Sequence, residues 1–112
     1  MKNERTELQA ICQRVADELK AIYNGQTVND DGEETTFWDY LADALDVEYT
    51  VGSDKSYKGA RIAVVLGGPN IYINTRRGEV EGFWGTERAE AWIPSEICEE
   101  LDGIMEECYA CS

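Results

Sequence analysis

The stretch that decides the fold is ARIAVVLGGPNIYINTRRGEVEGFW, Ala60 to Trp84, where three runs of alternating apolar residues are separated by two glycine-bearing breaks. Ala60, Ile62, Val64 and Leu66 fall on one face of the first run and Arg61, Ala63 and Val65 on the other, the period of two that a strand requires. Both faces are largely apolar, which predicts a central strand. Gly67, Gly68, Pro69 and Asn70 then break the run. Proline fixes φ and glycine is free to take positive φ, so a tight turn is expected. Ile71 and Ile73 resume the alternation against Tyr72 and Asn74. After Thr75, Arg76, Arg77 and Gly78 a third run sets Val80, Gly82 and Trp84 against Glu79, Glu81 and Phe83, which completes a hairpin. A glycine-rich turn can also cradle a phosphate, but phosphate loops lead from a strand into a helix N-terminus, and this one leads into another strand.

Toward the N-terminus, Val47, Tyr49 and Val51 alternate with Glu48 and Thr50 in a strand that ends at Gly52 and returns through Ser53 to Lys58 as a second hairpin. Ahead of it, Thr36 and Asp39 resemble a capping box with Asp in place of Glu, and they introduce Phe37, Trp38, Tyr40, Leu41, Ala44 and Leu45. A short helix follows from that pattern, its aromatics read as core because they recur at helical spacing beside leucine. Gln26 to Glu34 is a polar, acidic loop in which Val28 is the single candidate for the core. Leu8, Ile11, Cys12, Val15, Leu19 and Ile22 recur at helical spacing from Thr6 to Tyr23, and Asn24 and Gly25 supply the stop.

On the C-terminal side, Gly85 and Thr86 turn the chain into Ala89, Ala91 and Ile93, which alternate with Arg88, Glu90 and Trp92. Charges on the outward face of such an edge strand discourage edge-to-edge pairing. Pro94 suits the first turn of a helix. Ile97, Leu101, Ile104, Met105 and Cys108 define the apolar stripe of that helix, with Gly103 its weak point. The expected fold is α+β in a single domain spanning residues 1–112. An antiparallel four- or five-stranded sheet carries two N-terminal helices and one C-terminal helix packed on one face.

With 112 residues, 43% of them hydrophobic, the chain has the means to bury a core, so its acidity does not imply disorder. It contains no histidine, which removes the commonest general base and the commonest metal ligand. No Ser or Cys motif has a plausible base near it and no carboxylate pair is distinguished from the many others. A non-enzymatic protein without metal or cofactor is therefore expected. No apolar run approaches the roughly 20 residues of a membrane span, and MKNERTELQ lacks the apolar core of a signal peptide, so the cytoplasm is the expected location. There, Cys12, Cys98, Cys108 and Cys111 are read as reduced thiols. Cys108 and Cys111 form a CxxC with no second CxxC and no βαβ pattern beside it, and Cys12 and Cys98 lie on apolar stripes as small buried hydrophobes.

Charge carries the functional reading. Ten Lys and Arg against 23 Asp and Glu leave a formal net charge of -13. No basic residue occurs between Lys20 and Lys55, whereas Asp30, Asp31, Glu33, Glu34, Asp39, Asp43, Asp46, Glu48 and Asp54 all fall in that interval. The last helix adds Glu96, Glu99, Glu100, Asp102, Glu106 and Glu107 without a single Lys or Arg, so it lacks the i,i+4 ion pairs that support an exposed helix face. At about 1.5 Å per residue these carboxylates come about every 3.5 Å along the axis, close to the roughly 3.4 Å phosphate spacing of one DNA strand. The six are the expected contact set for a basic nucleic-acid-binding protein, and the same field repels nucleic acid itself. Plain solubility is the competing account of such acidity. A second class of function is a small-ligand or peptide-binding module on the hairpin, with Asn70, Tyr72, Asn74, Arg76, Arg77 and Trp84 on its exposed side, where an arginine pair beside an aromatic could hold an anion or a base. Its plainer counterpart is a solvated hairpin whose arginines pair with Glu79 and Glu81. Monomer and homodimer are both compatible with the sequence.

The segments GGPNIYIN, TRRGEVEGFWG and WIPSEICEELD, together with FWDYLADALDVEYT, resemble a recurrent pattern in small acidic proteins of conjugative elements and phage-derived regions of gut Firmicutes. No activity is assigned to that family, so the resemblance carries over no catalytic or binding residue. It implies a mobile-element setting in which antirestriction and anti-CRISPR proteins, many of them acidic, are common neighbours.

Overall fold

In the computed structural model, which describes residues 4–28 and 32–111, the alternating runs pair into one antiparallel sheet with the two flanking helices laid across the same face of it. Asp30 and Asp31 of the expected acidic loop lie outside the described residues. The elements are α1 (Glu4–Tyr23), α2 (Phe37–Leu41), β1 (Asp46–Val51), β2 (Tyr57–Val65), β3 (Asn70–Asn74), β4 (Glu79–Trp84), β5 (Glu87–Trp92) and α3 (Ser95–Ala110). The strands lie in the order β1-β2-β3-β4-β5, each antiparallel to the next, so every connection is a local turn.

Register shows why the sheet has one buried and one open face. Val47, Ile62, Ile73, Val80 and Ala91 stand opposite one another across all five strands, and this row faces the helices. One residue along, Glu48, Arg61, Asn74, Glu79 and Trp92 make the corresponding row on the other face. A slip of one residue in any ladder would bring charge into the core, which is what pins the register.

Helix α1 packs on β4 and β5, and it comes closest at Gly82, where a Cβ would stand 2.5 Å from Cys12 Sγ and 2.9 Å from Leu8 Cδ1. The glycine is there because the helix occupies the room its side chain would need. The helix stops as the sequence predicts: Gly25 has φ +67°, Gln26 N donates to Ala21 O and Gly25 N to Ile22 O, the paired bonds of a left-handed glycine cap. Helix α3 packs mainly on β2, burying Ile97, Leu101, Ile104 and Met105, and two tyrosines bind it to the sheet edge. Tyr57 Oη donates to Asp102 Oδ1 at 2.6 Å and Tyr109 Oη to Lys55 O at 2.9 Å, with the rings of Tyr49, Tyr57 and Tyr109 packed together.

Three expectations need correction. The second N-terminal helix is much shorter than its apolar pattern: the capping box is present, Thr36 Oγ1 accepting from Asp39 N and Asp39 Oδ2 from Thr36 N, but α2 ends at Leu41. Past Leu41 the chain turns to tighter i,i+3 bonds, Asp43 N to Tyr40 O and Ala44 N to Leu41 O, before Leu45 N donates to Ala63 O and draws it into the sheet. As a result α2 lies mainly against α1 and α3, Phe37 and Leu41 are buried, and Trp38 and Leu45 are exposed. In β2 the strict alternation breaks after Ala63: Val65 rather than Val64 pairs with Ile71, and Leu66 lies exposed beyond the strand. That is the effect of a bulge, which moves later residues to the opposite face. Val28 is exposed, joined to Glu34 by an isolated bridge.

Candidate functional site

Helix α3 presents its carboxylates away from the sheet. At about 100° per residue, Glu96, Glu99, Glu100, Gly103, Glu106 and Glu107 cover an arc of about 120° centred opposite the apolar stripe. All five of these glutamates are exposed, while Ile97, Cys98, Leu101, Ile104 and Met105 are buried. Asp102 sits on the flank of the arc, half-buried, and accepts the hydrogen bond from Tyr57. Burial, followed by that bond to Asp102, pushes the Tyr57 phenol above its ordinary range. Five of the six sequence-derived contact residues are therefore brought together on solvent, and the sixth serves the packing of the helix.

Nothing neutralises that arc: among the described residues, none of the six acids meets a Lys or Arg. Glu96 in the first turn suits the helix dipole, but the rest of the charge pattern opposes the helix's own stability. Glu96 and Glu100 repel at i,i+4, and Glu107 lies in a last turn that contains no basic residue, at the negative end of the helix dipole.

Three of the arginines are on the other face of the sheet. Arg61, Arg77 and Arg88 stand on the uncovered face of the sheet, interleaved with Glu48, Glu79, Glu81 and Glu90. Glu81, only 4% exposed, sits at the centre, with Arg61 Nε 3.1 Å from its Oε1 and Asn74 Nδ2 3.3 Å from its Oε2. The Arg61 guanidinium also lies 3.6 Å from the centroid of the Tyr72 ring. Glu79 Oε2 is buried without a hydrogen bond although Arg77 Nε lies 3.2 Å away, an ion contact without donor alignment. Burial first, then the neighbouring Glu81 and Glu90, raise the Glu79 carboxyl above its usual range, with Arg77 opposing them.

The hairpin residues divide between environments. Tyr72, Asn74 and Asn70 share the uncovered face, but Trp84 aligns with Val80 and Gly82 and packs against the core, so it is not beside the arginines. Asn74 Oδ1 accepts from Arg76 N and Arg77 N, and Asn70 Oδ1 from Gly67 N, so both asparagines are occupied in building turns. The Arg76 stem lies over Gly59, where a Cβ would approach its Cγ to 2.1 Å. Arg77 is paired with Glu79 and Glu81, the plainer of the two readings of the hairpin.

The sequence did not identify a groove of about 550 Å³ where the end of α1, the start of α2 and α3 meet. Tyr23 and Trp38 flank it and remain 46% and 51% exposed. Glu100, Gly103 and Glu107 bring one edge of the acidic arc to its rim. The only signal in the sequence was the aromatic cluster after Thr36, which helical spacing alone assigns to the core. The four cysteines are free; Cys12 and Cys98 are buried, Cys108 is half-buried and Cys111 exposed, and no group of Cys, Asp and Glu among the described residues is placed to hold a metal. No helix among the described residues is long and apolar enough to cross a membrane. No protein-family model, curated protein or solved structure matches this chain.

Proposed function

We propose that this protein acts without catalysis, by offering the carboxylates of α3 as a polyanionic surface to a basic, nucleic-acid-handling protein, in the manner of an antirestriction or anti-CRISPR inhibitor. The observation that carries the reading is segregation. Arg61, Arg77 and Arg88 are committed to carboxylates on the opposite face of the sheet. Among the described residues no Lys or Arg, including Lys55 and Arg76 whose backbone or neighbours adjoin α3, forms an ion pair with the α3 arc. A row of unscreened charge raises encounter rates with an oppositely charged groove and repels nucleic acid. The retained cost to the helix argues against simple solubility, which needs net charge but not charge at the wrong end of a dipole. The resemblance to acidic proteins of mobile elements supports the same reading by association. A location in the cytoplasm, where such targets act, belongs to this proposal.

The test is binding, by biolayer interferometry, to a panel of basic DNA-binding enzymes with and without competing DNA. Reversal of Glu99, Glu100, Glu106 and Glu107 to lysine is expected to abolish an interaction that DNA also displaces. An interaction profile identical for the reversed and the native protein refutes the proposal.

A further inference from the structure

We propose that the groove between α1, α2 and α3 seats an arginine-bearing segment of the partner protein, and so supplies the specific anchor that a diffuse charge surface lacks; this rests on the polyanionic reading of α3. Ile22, Phe37 and Ile104 form an apolar strip at the base of the groove, and Thr35 and Thr36 help complete a lining whose accessible surface is more polar than apolar. Tyr23 and Trp38 form aromatic sides left half exposed. Glu34, Glu100 and Glu107 stand at the rim, and among the described residues no Lys or Arg lines the groove. An apolar strip suits an aliphatic stem, an aromatic face suits a flat cation, and a carboxylate rim suits the same cation's donors. Arginine satisfies all three at once, because its guanidinium stacks face-on on a ring while its N–H groups bond carboxylates in the guanidinium's own plane.

Gly103 supplies a second, independent pointer. It is exposed within the body of α3, and a Cβ built on it would meet nothing within 4 Å, so no neighbour in this chain needs the space it leaves. An exposed glycine inside a helix is unfavourable relative to alanine. Its place at the groove edge, between Glu100 and Glu107, leaves the helix backbone open to close approach from outside. The groove volume of about 550 Å³ is larger than one side chain needs and accommodates a short peptide segment around the anchor.

The experiment uses fluorescence anisotropy with the full chain and a labelled Gly-Ser peptide bearing three arginines, alongside its neutral citrulline counterpart. The arginine peptide is expected to bind and the citrulline peptide to bind about tenfold more weakly or worse. Trp38→Ala and Gly103→Leu are each expected to weaken the arginine peptide about tenfold or more. Both positions are solvent-facing, so the variants should keep the native circular dichroism spectrum and a cooperative melt. Glu99→Gln with Glu106→Gln, on the same arc but outside the groove, should weaken it by no more than about threefold, the share of long-range field. Unchanged affinity in both groove variants, or equal binding of the citrulline peptide, overturns the inference. If the peptide responds to Trp38 and Gly103 but the native chain engages no basic DNA-binding protein, the groove stands and the polyanionic reading falls; the reverse pattern removes the groove alone.

Discussion

The same substitution should have opposite effects at two glycines. In Gly82→Ala the new methyl would stand 2.5 Å from Cys12 Sγ, 2.9 Å from Leu8 Cδ1 and 3.2 Å from Ile71 Cδ1. All three neighbours are fully buried, so none can retreat into solvent, and relief requires α1 to move off β4. Overpacking of this kind costs about 1–3 kcal/mol, offset by up to about 1 kcal/mol from stiffening the unfolded chain, which leaves a net loss of about 1–2 kcal/mol. In Gly103→Ala the methyl meets nothing within 4 Å. There the helix-propensity difference stands alone and stabilises by about 1 kcal/mol. At this chain length each kcal/mol corresponds to roughly 4–5 °C in melting temperature, so the two variants should melt about 10 °C apart on opposite sides of the native protein. Differential scanning calorimetry at one pH and salt concentration measures both. A Gly82→Ala melt at or above the native value would mean that α1 does not seat on β4 as described, and a Gly103→Ala melt below it would mean that the space over α3 is filled.

Glu107→Lys should stabilise the fold by about 0.5 kcal/mol in urea unfolding, because it places a cation at the C-terminal end of α3, while weakening the partner; a loss of stability would contradict the dipole argument. Glu79 has a folded-state pKa above its unfolded value, so it costs nothing below the unfolded value and costs stability as pH rises through the folded one. Glu79→Gln should accordingly gain more stability over the native protein at pH 7 than at pH 4, and a gain that is larger at pH 4 refutes that sign. Burial raises the Cys12 thiol to about 11, with Glu90 adding to it, and raises Cys98 less strongly, whereas Cys111 is exposed. Mass spectrometry after brief treatment with N-ethylmaleimide at pH 7.5 should therefore find Cys111 modified first and Cys12 and Cys98 protected until unfolding; early labelling of Cys12 would contradict the packing of α1.

Much of the sheet was readable residue by residue. Period-two alternation put Ile71, Ile73, Val80, Ala89 and Ala91 on one face and Tyr72, Glu79, Glu81 and Arg88 on the other, as observed. Failures came where a local pattern met a tertiary demand. Leu45 fits a helix but is claimed by the Ala63 carbonyl, and Val65 crosses faces because of a bulge that no alternation announces. Trp84 lies near the arginines in sequence, but its alternation with Val80 and Gly82 sets it on the helix side, where it packs against the core.

The candidate site divides in the same way. The sequence by itself determined that six acids without a basic partner share one helix, and the helical period alone places most of them opposite its apolar stripe. Whether arginines from elsewhere would neutralise them could only be decided by tertiary structure, since ion pairing depends on distance in space and the sheet directs Arg61, Arg77 and Arg88 to its other face. The groove is likewise a product of assembly. Tyr23, Trp38 and Gly103 come from three elements far apart along the chain, and only the packing of those elements gives them a common surface.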